Sequence, residues 1–284
     1  MKTKNVRLKF GKGKDVSTVI WTGDWHLGNE SVDLDSLDCL QDRILSNSNI
    51  QVIHGSDIIE GIIPTDKRFD VDEAETTVVE QIEMAVSRLK AIAKQCVGML
   101  KGNHESAPSR LIGDITALMC KQADIDNLSQ CCYLNVDAPD GNSTAFCSHF
   151  VPSINNRNED AVCRQAAKAS RLRKLLRPFE AHLKLLGHIH HFICHTPVLE
   201  DRLMFVENKI KHRPVMVRPE WIAVCPAFLK VYGDQDNYAQ AKLYDPTDIG
   251  WVEVDFDKQA QVVEIRNCLG DGTTKRKYHA ELVN

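Results

Sequence analysis

Short apolar runs alternate along the chain with stretches in which apolar residues recur every three or four positions. Runs at 17–21, 50–54, 97–100 and 183–186 read as strands, and each ends in a small residue or a tight turn. Val78, Ile82, Val86 and Leu89 recur at helical spacing, so 72–95 reads as an amphipathic helix. Further helices are predicted over 110–123 and 160–177, with strands around Tyr133 and Phe146. Beyond residue 195 the pattern becomes mostly β, with runs at 203–206, 214–217, 221–224, 251–256 and 261–265. The last two read as a hairpin turning near Asp257 and Lys258. A βαβ-like first part and a strand-rich end predict α/β layers around strand-rich sheets. Without repeats, low-complexity tracts or an obvious linker, residues 1–284 read as one domain with a β-rich C-terminal part at 196–284.

The bulk chemistry narrows this picture. The 284 residues are 43% hydrophobic and 26% charged, enough for one sizeable core. A net charge of -4 gives no global field toward polyanions. No apolar run approaches the roughly 20 residues that span a bilayer, and no apolar signal core follows the basic start. A cytoplasmic protein without a membrane partner is expected. Ten cysteines show no repeated CxxC pair, and Cys96, Cys147 and Cys225 fall in strand-like runs. Reduced thiols are therefore expected, rather than a disulfide scaffold or a zinc ribbon.

The candidate chemistry sits where strands end. Five segments follow apolar runs: Asp24-Trp25-His26; Gly55-Ser56-Asp57; Gly102-Asn103-His104-Glu105; Ser148-His149; and Gly187-His188-Ile189-His190. Carboxylate, imidazole and amide oxygen are ligands for borderline divalent metals. Strand ends gather such groups at one rim of a sheet. In an extended segment, residues two apart point to one side, so Asp24 with His26 and His188 with His190 would each face one metal cluster. One Asp-x-His in a loop is usually solvated surface, whereas five such pieces in order are not.

This set resembles the motifs of the calcineurin-like metallophosphoesterases, including bacterial and phage phosphodiesterases and nucleases of the SbcD type. The resemblance spans Asp24 to His190, with Gly-Asn-His-Glu and Gly-His-x-His its most specific pieces. It implies a four-layer α-β-β-α sandwich of two mixed sheets flanked by helices, with metals at the sheet rims. By the same resemblance, Asp24, His26 and His190 bind one metal. Asn103, His149 and His188 bind the other, and Asp57 bridges both. His104 is the acid beside the substrate. Glu105 reads as surface, with orientation of His104 as the alternative. Ser56 stands where the family has glycine, and Phe150 follows His149 where glycine is common.

The expected cofactors are two divalent ions, manganese first, with iron, zinc, nickel or magnesium as alternatives. Two such ions about 3.5–4 Å apart can share a water and lower its pKa toward neutrality. The resulting hydroxide would attack phosphorus, and His104 would protonate the leaving oxygen. Phosphoprotein phosphatases of the superfamily carry Asp-Arg in an extended second motif, where Ile58-Ile59-Glu60-Gly61 stands here, and an arginine where Lys101 stands, which disfavours a phosphoprotein substrate. The expected substrate is a phosphodiester, with DNA or RNA or a nucleotide as partner. A phosphomonoesterase on a small metabolite and a non-catalytic scaffold are the rivals, and self-association stays open. Two basic stretches are candidate phosphate tracks: Lys2, Lys4, Arg7, Lys9, Lys12 and Lys14, and the helix carrying Arg171, Lys174 and Arg177. Each is equally an ordinary solvated face. The aromatics of 226–233 read as core or interface. His54, His191 and His195 fit no ligand slot and read as structural.

Overall fold

The computed structural model describes residues 1–63, 76–150, 160–232 and 246–279. Two six-stranded mixed sheets dominate it. One sheet runs β1 (Lys2–Arg7), β5 (Cys131–Ala138), β6 (Gly141–Ser148), β7 (Leu183–Leu186), β11 (Trp221–Val224) and β8 (Ile193–His195). The other runs β14 (Thr274–His279), β13 (Val262–Leu269), β12 (Gly250–Phe256), β2 (Ser17–Thr22), β3 (Gln51–His54) and β4 (Cys96–Met99). β2, β3 and β4 run parallel, as do β6, β7 and β11. Helices α1 (Leu34–Leu45), α2 (Val78–Ile92), α3 (Asn103–Ile112) and α4 (Ile115–Ala123) belong to the second sheet's connections, and α5 (Ala161–Leu176) to the first's.

Apolar burial explains the layering. Val19, Trp21 and Ile53 from one sheet meet Leu134, Cys147 and Leu185 from the other in one buried cluster. Ile20 and Val52 point the opposite way, into a second cluster with Leu40 of α1, Leu89 of α2 and Met119 of α4. Ala169, Leu172 and Leu176 of α5 cover Phe146, Ile222 and Val224 on the other outer face. The period-2 alternation of the strands thus feeds both the inter-sheet core and the helix layers. The result is the four-layer α-β-β-α sandwich expected from the sequence. Among the described residues no helix is long and apolar enough to cross a membrane, and all ten cysteines are free.

Several elements differ from the sequence reading. The helix expected over 110–123 is two helices, broken where Gly113 adopts φ 96° and Asp114 caps α4 through the backbone N–H of Ala117. The first turns of the helix expected from residue 72 lie outside the described residues. α2 begins at Val78 because Thr77 and Glu80 form a reciprocal cap. The runs at 203–206 and 214–217 belong to one long hairpin, β9 (Val198–Val206) with β10 (Lys209–Arg218), that pairs with neither sheet. Leu203, Phe205 and Ile210 on it are exposed.

Trp21 ties the two sheets together at the end where the motifs gather. It is fully buried, and its indole N–H donates to the carbonyl of Leu186 at the end of β7, 2.9 Å away. A Cβ on Gly55 would lie 2.9 Å from the Trp21 ring, so glycine is what lets β3 turn there. Replacing Trp21 with alanine should cost about 3–5 kcal/mol, read as a lower denaturant midpoint at unchanged slope. Trp21→Phe keeps most of the volume and removes one of two hydrogen bonds to the Leu186 carbonyl, which also accepts from Cys225 N at 2.8 Å, and should cost about 0.5–1.5 kcal/mol. Equal midpoints for wild type and Trp21→Ala would refute the tie.

Candidate metal centre

Five parallel strand ends, three from one sheet and two from the other, deliver the motifs to one rim. The loop after β2 lies along the loop after β3. Backbone N–H groups of Asp24, His26 and Leu27 donate to the carbonyls of Ser56, Asp57 and Ile58 at 2.8, 3.0 and 2.9 Å. The donor pairs do not face the site through a β pleat, as the sequence reading had it. Asp24, His26, Ser56, Asp57, His188 and His190 all have φ between 46° and 85°. Left-handed backbone at non-glycine residues is uncommon and clusters at functional sites. The loops are bent there so that alternate side chains converge.

Three groups of potential ligands result: Asp24, His26 and His190; Asp57, His149 and His188; and His26, Glu60 and His104. In the first, His190 Nε2 stands 3.3 Å from both Asp24 Oδ1 and His26 Nε2. In the second, His149 Nε2 lies 2.9 Å from Asp57 Oδ2 and 3.1 Å from Asn103 Oδ1. The rings of His149 and His188 are 5.3 Å apart. All seven residues expected as ligands therefore lie in one cluster.

The donor set fits a cation. His149 Nδ1 is 2.8 Å from the Gly55 carbonyl, and His26 Nδ1 is 2.8 Å from Glu60 Oε2. Each Nδ1 carries the proton toward its oxygen, which leaves a lone pair on Nε2. The His149 Nε2 then faces carboxylate and amide oxygen, acceptor against acceptor, and the His26 Nε2 faces the His190 ring nitrogen. Asp57 Oδ2 is buried and receives no hydrogen bond. Without a cation His149 must take up a second proton. Burial opposes this, but the Asp57 carboxylate outweighs it and pushes the His149 pKa up to about 9. Burial raises the Asp57 pKa, yet His149 and then His104 and His26 hold it well below the carboxylate range. Burial lowers His188, helped by His149, and lowers His26, helped by His104.

α3 begins inside the site. Its first residue is Asn103, and the backbone N–H of His104 donates to Asp57 Oδ1 at 3.1 Å. The helix N-terminus thus adds positive dipole to the central carboxylate. Gly102 packs so closely that a Cβ would sit 2.0 Å from Asp57 Oδ1. His104 Nδ1 donates to the Glu60 carbonyl, leaving Nε2 as the free end of the ring. Burial works to lower the His104 pKa, but Asp57 and Glu60 outweigh it and raise it.

Glu105 is not surface. It is fully buried and accepts from Ser56 Oγ at 2.8 Å, Ile58 N at 2.7 Å and Gly102 N at 3.2 Å. It fastens the turn carrying Asp57, and Ser56 joins that network through the hydroxyl a glycine would lack. Burial first, and the Asp57 carboxylate next, push the Glu105 pKa up. Glu60, to which the sequence reading gave no role, holds His26 and lies 3.7 Å from His104. Its acidity three residues after Asp57 was the available signal. His54 is buried against Trp25, accepts from Ser56 N at 3.0 Å, and burial drops its pKa to about 3. Phe150 is exposed, with its ring 5.3 Å from that of His188 at the margin of the cluster.

The basic helix does not deliver its expected residues here. α5 leads back to the start of β7, where Lys184 Nζ donates to the Leu176 carbonyl at 3.2 Å. Arg171, Lys174 and Arg177 therefore sit toward the end of the sandwich opposite His188 and His190. A βαβ crossover must return the chain to the far end of the sheet, so only the first turns of α5 can lie near the centre.

No protein-family model matches the chain, and no curated protein matches its sequence. Among solved structures it is similar to Vps29 of Entamoeba histolytica in complex with Zn2+, at 12% identity over 92% of this chain and 98% of that one, TM-score 0.46. It is also similar to a predicted phosphoesterase from Streptococcus pneumoniae, at 11% identity over 94% and 99%, TM-score 0.38. A third is a metallophosphoesterase from Sphaerobacter thermophilus, at 14% identity over 93% and 88%, TM-score 0.33. What the centre can do follows from its own donor set.

Gly102→Ala should displace the Asp57 carboxylate and cut divalent-metal affinity at least tenfold, the scale of losing a ligand's support. Metal analysis after dialysis measures this. A Gly102→Ala protein that retains wild-type metal content would show that Asp57 is not where the ligands meet.

Proposed function

We propose that this centre is a dinuclear phosphoesterase site that hydrolyses phosphodiesters, with nucleic acid or nucleotides as substrate class and manganese as the first-choice metal. The observation that carries the reading is the meeting of oxygens of Asp24, Asp57 and Asn103 with the Nε2 atoms of His149, His26 and His190 at separations of 2.9–3.3 Å. Asp24, His26 and His190 would hold one ion, and Asn103, His149 and His188 the other, with Asp57 between. When bound, divalent ions would supply Lewis-acid charge to phosphate oxygens and acidify a water at neutral pH.

The rest of the chemistry belongs to the chain. Asp57 is fixed by His104 N and by the turn that Glu105 clamps, so its carboxylate needs no reorganisation during the reaction. Gly55 and Glu60 fix the rings of His149 and His26 in the tautomer that leaves Nε2 open. Burial lowers the His104 pKa, but Asp57 and Glu60 outweigh it and raise it, and a proton on Nε2 would sit on the ring edge away from Glu60. That proton is available to the departing oxygen. Lys101, which precedes Gly102 and Asn103 in sequence, pairs with Asp114 at 3.1 Å.

Purified protein should bind close to two divalent ions per chain, and Asp57→Asn should weaken both. Turnover should be highest with a phosphodiester in a panel of diesters and monoesters assayed with Mn, Mg, Ni and Zn. Activity confined to monoesters, or a protein that takes up no divalent metal, would overturn the proposal. His104→Ala should keep the metals and lower turnover by about 10²–10⁴-fold. The loss should shrink for a nitrophenyl ester, whose leaving group needs no proton. Loss of metal in His104→Ala would show that its role is ligation, not proton donation.

A further inference from the structure

The chain leaves β6 through Ser148 and His149, and the next side chain stands outside the ligand cluster. His149 is fully buried, whereas Phe150 is 60% exposed. Ser148 Oγ donates to the Phe150 carbonyl at 3.1 Å, and the Phe150 ring lies 5.3 Å from that of His188, tilted by 41°. That separation falls in the range of ring packing, roughly 4.5–7 Å. A single exposed apolar side chain is ordinary on a protein surface. Phe150 differs in what it touches. The ligand rings pack on one another, His26 on His190 and His149 on His188, and His188 also packs on Phe150. The donor atom of His188 lies within 4.8 Å of those of Asp57 and His149. One imidazole ring therefore separates an exposed phenyl from the Asp57–His149–His188 group.

A phosphate held at the cluster brings its substituents with it. Carboxylate, amide and imidazole groups line the cluster and suit a cation with phosphate oxygens on it. A nucleobase joined to that phosphate needs an apolar face instead, and Phe150 supplies one a ring's width away. Stacking on an exposed aromatic strengthens binding by roughly 5- to 150-fold and tolerates any base, because every base has a π face. Glycine, common at this place in the resembled family, offers no such face. Which substituent Phe150 receives follows from His104, whose ring packs on His26 of the other ligand group, 4.5 Å away. The leaving oxygen belongs at His104, so the group that stays on phosphorus belongs at Phe150. We infer that Phe150 stacks on the base of the retained nucleoside and sets a preference for nucleoside diesters over alkyl ones. This role rests on the phosphodiesterase reading and adds to it the part of the substrate that is recognised.

Two substrates with one leaving group isolate the base: adenosine 5′-(4-nitrophenyl) phosphate and methyl 4-nitrophenyl phosphate, assayed with metal-loaded protein. In wild type kcat/KM should be at least fivefold higher for the adenosine ester. Phe150→Leu keeps an apolar side chain against His188 without a π face, and should lower that ratio at least fivefold. Phe150→Trp should restore it. Calorimetric titration with adenosine 5′-monophosphate and with methyl phosphate reads the same contact without turnover. The nucleotide should bind wild type at least fivefold more tightly than methyl phosphate, and Phe150→Leu should remove the difference. If neither diester is hydrolysed, the phosphodiesterase reading fails and the titration decides the role of Phe150. Base stacking is overturned if the ratio is the same in wild type and Phe150→Leu, or if adenosine 5′-monophosphate and methyl phosphate bind wild type equally. It is also overturned if Phe150→Leu loses metal and both esters slow together, the outcome for a side chain that only supports His188.

Discussion

Acceptor atoms forced together without protons between them are the constraint around which this molecule is built. A carboxylate, an amide oxygen and an imidazole lone pair repel one another when buried, and the Asp57–His149–Asn103 cluster places the two oxygens within 3.1 Å of His149 Nε2. In the absence of a cation the arrangement survives by taking up protons, which is why His149 is driven up and Asp57 down. A divalent ion replaces those protons, so metal binding and protonation compete for the same lone pairs. Every support described above acts on the geometry of this conflict. Gly55 and Glu60 choose tautomers, Glu105 clamps a turn, and the first turn of α3 adds a dipole.

Those supports carry a cost in backbone energy. Six of the eleven non-glycine residues with positive φ lie in the three ligand loops. Each costs on the order of 1 kcal/mol or more relative to relaxed backbone. Nothing in the loops' own sequence repays this. The repayment comes from neighbours: the ladder-like bonds between the 24–27 and 56–58 segments, and the buried carboxylate of Glu105. Glu105 is itself an ionisable group in the core, held by hydroxyl and backbone donors instead of a cation. That choice satisfies the Glu105 carboxylate without a fixed positive charge.

Much of this was legible in the sequence because it is local. A strand end followed by a small residue and a ligand can be read from five or six letters, and all seven expected ligands do converge. What could not be read depends on contacts far apart in sequence. Glu105 looked like surface because its partners, Ser56 and Ile58, come from another motif. Arg171, Lys174 and Arg177 looked near the centre because sequence proximity to His149 and His188 was taken for spatial proximity; the direction of a crossover helix places them at the other end. α1 and β8 escaped because their patterns are weak, and the β9–β10 hairpin was read only in part, as separate runs at 203–206 and 214–217. The hairpin is exposed on both faces and has no alternation to find.

The division of ligands between two sheets has a further physical consequence. Asp24, His26, Asp57 and Asn103 follow strands of one sheet, while His149, His188 and His190 follow strands of the other. Neither sheet alone brings together the Asp24–His26–His190 group or the Asp57–His149–His188 group. The spacing of the sheets, set by Trp21, Leu134, Cys147, Leu185 and their neighbours in the inter-sheet core, is therefore a coordinate of the metal centre. Sheets pack about 10 Å apart, and close-packed interiors transmit strain rather than absorb it. A change in inter-sheet packing reaches the His149–Asp57 separation with no ligand altered. Core and centre are in this sense one structure: the apolar side chains fix the distance at which the polar ones confront each other.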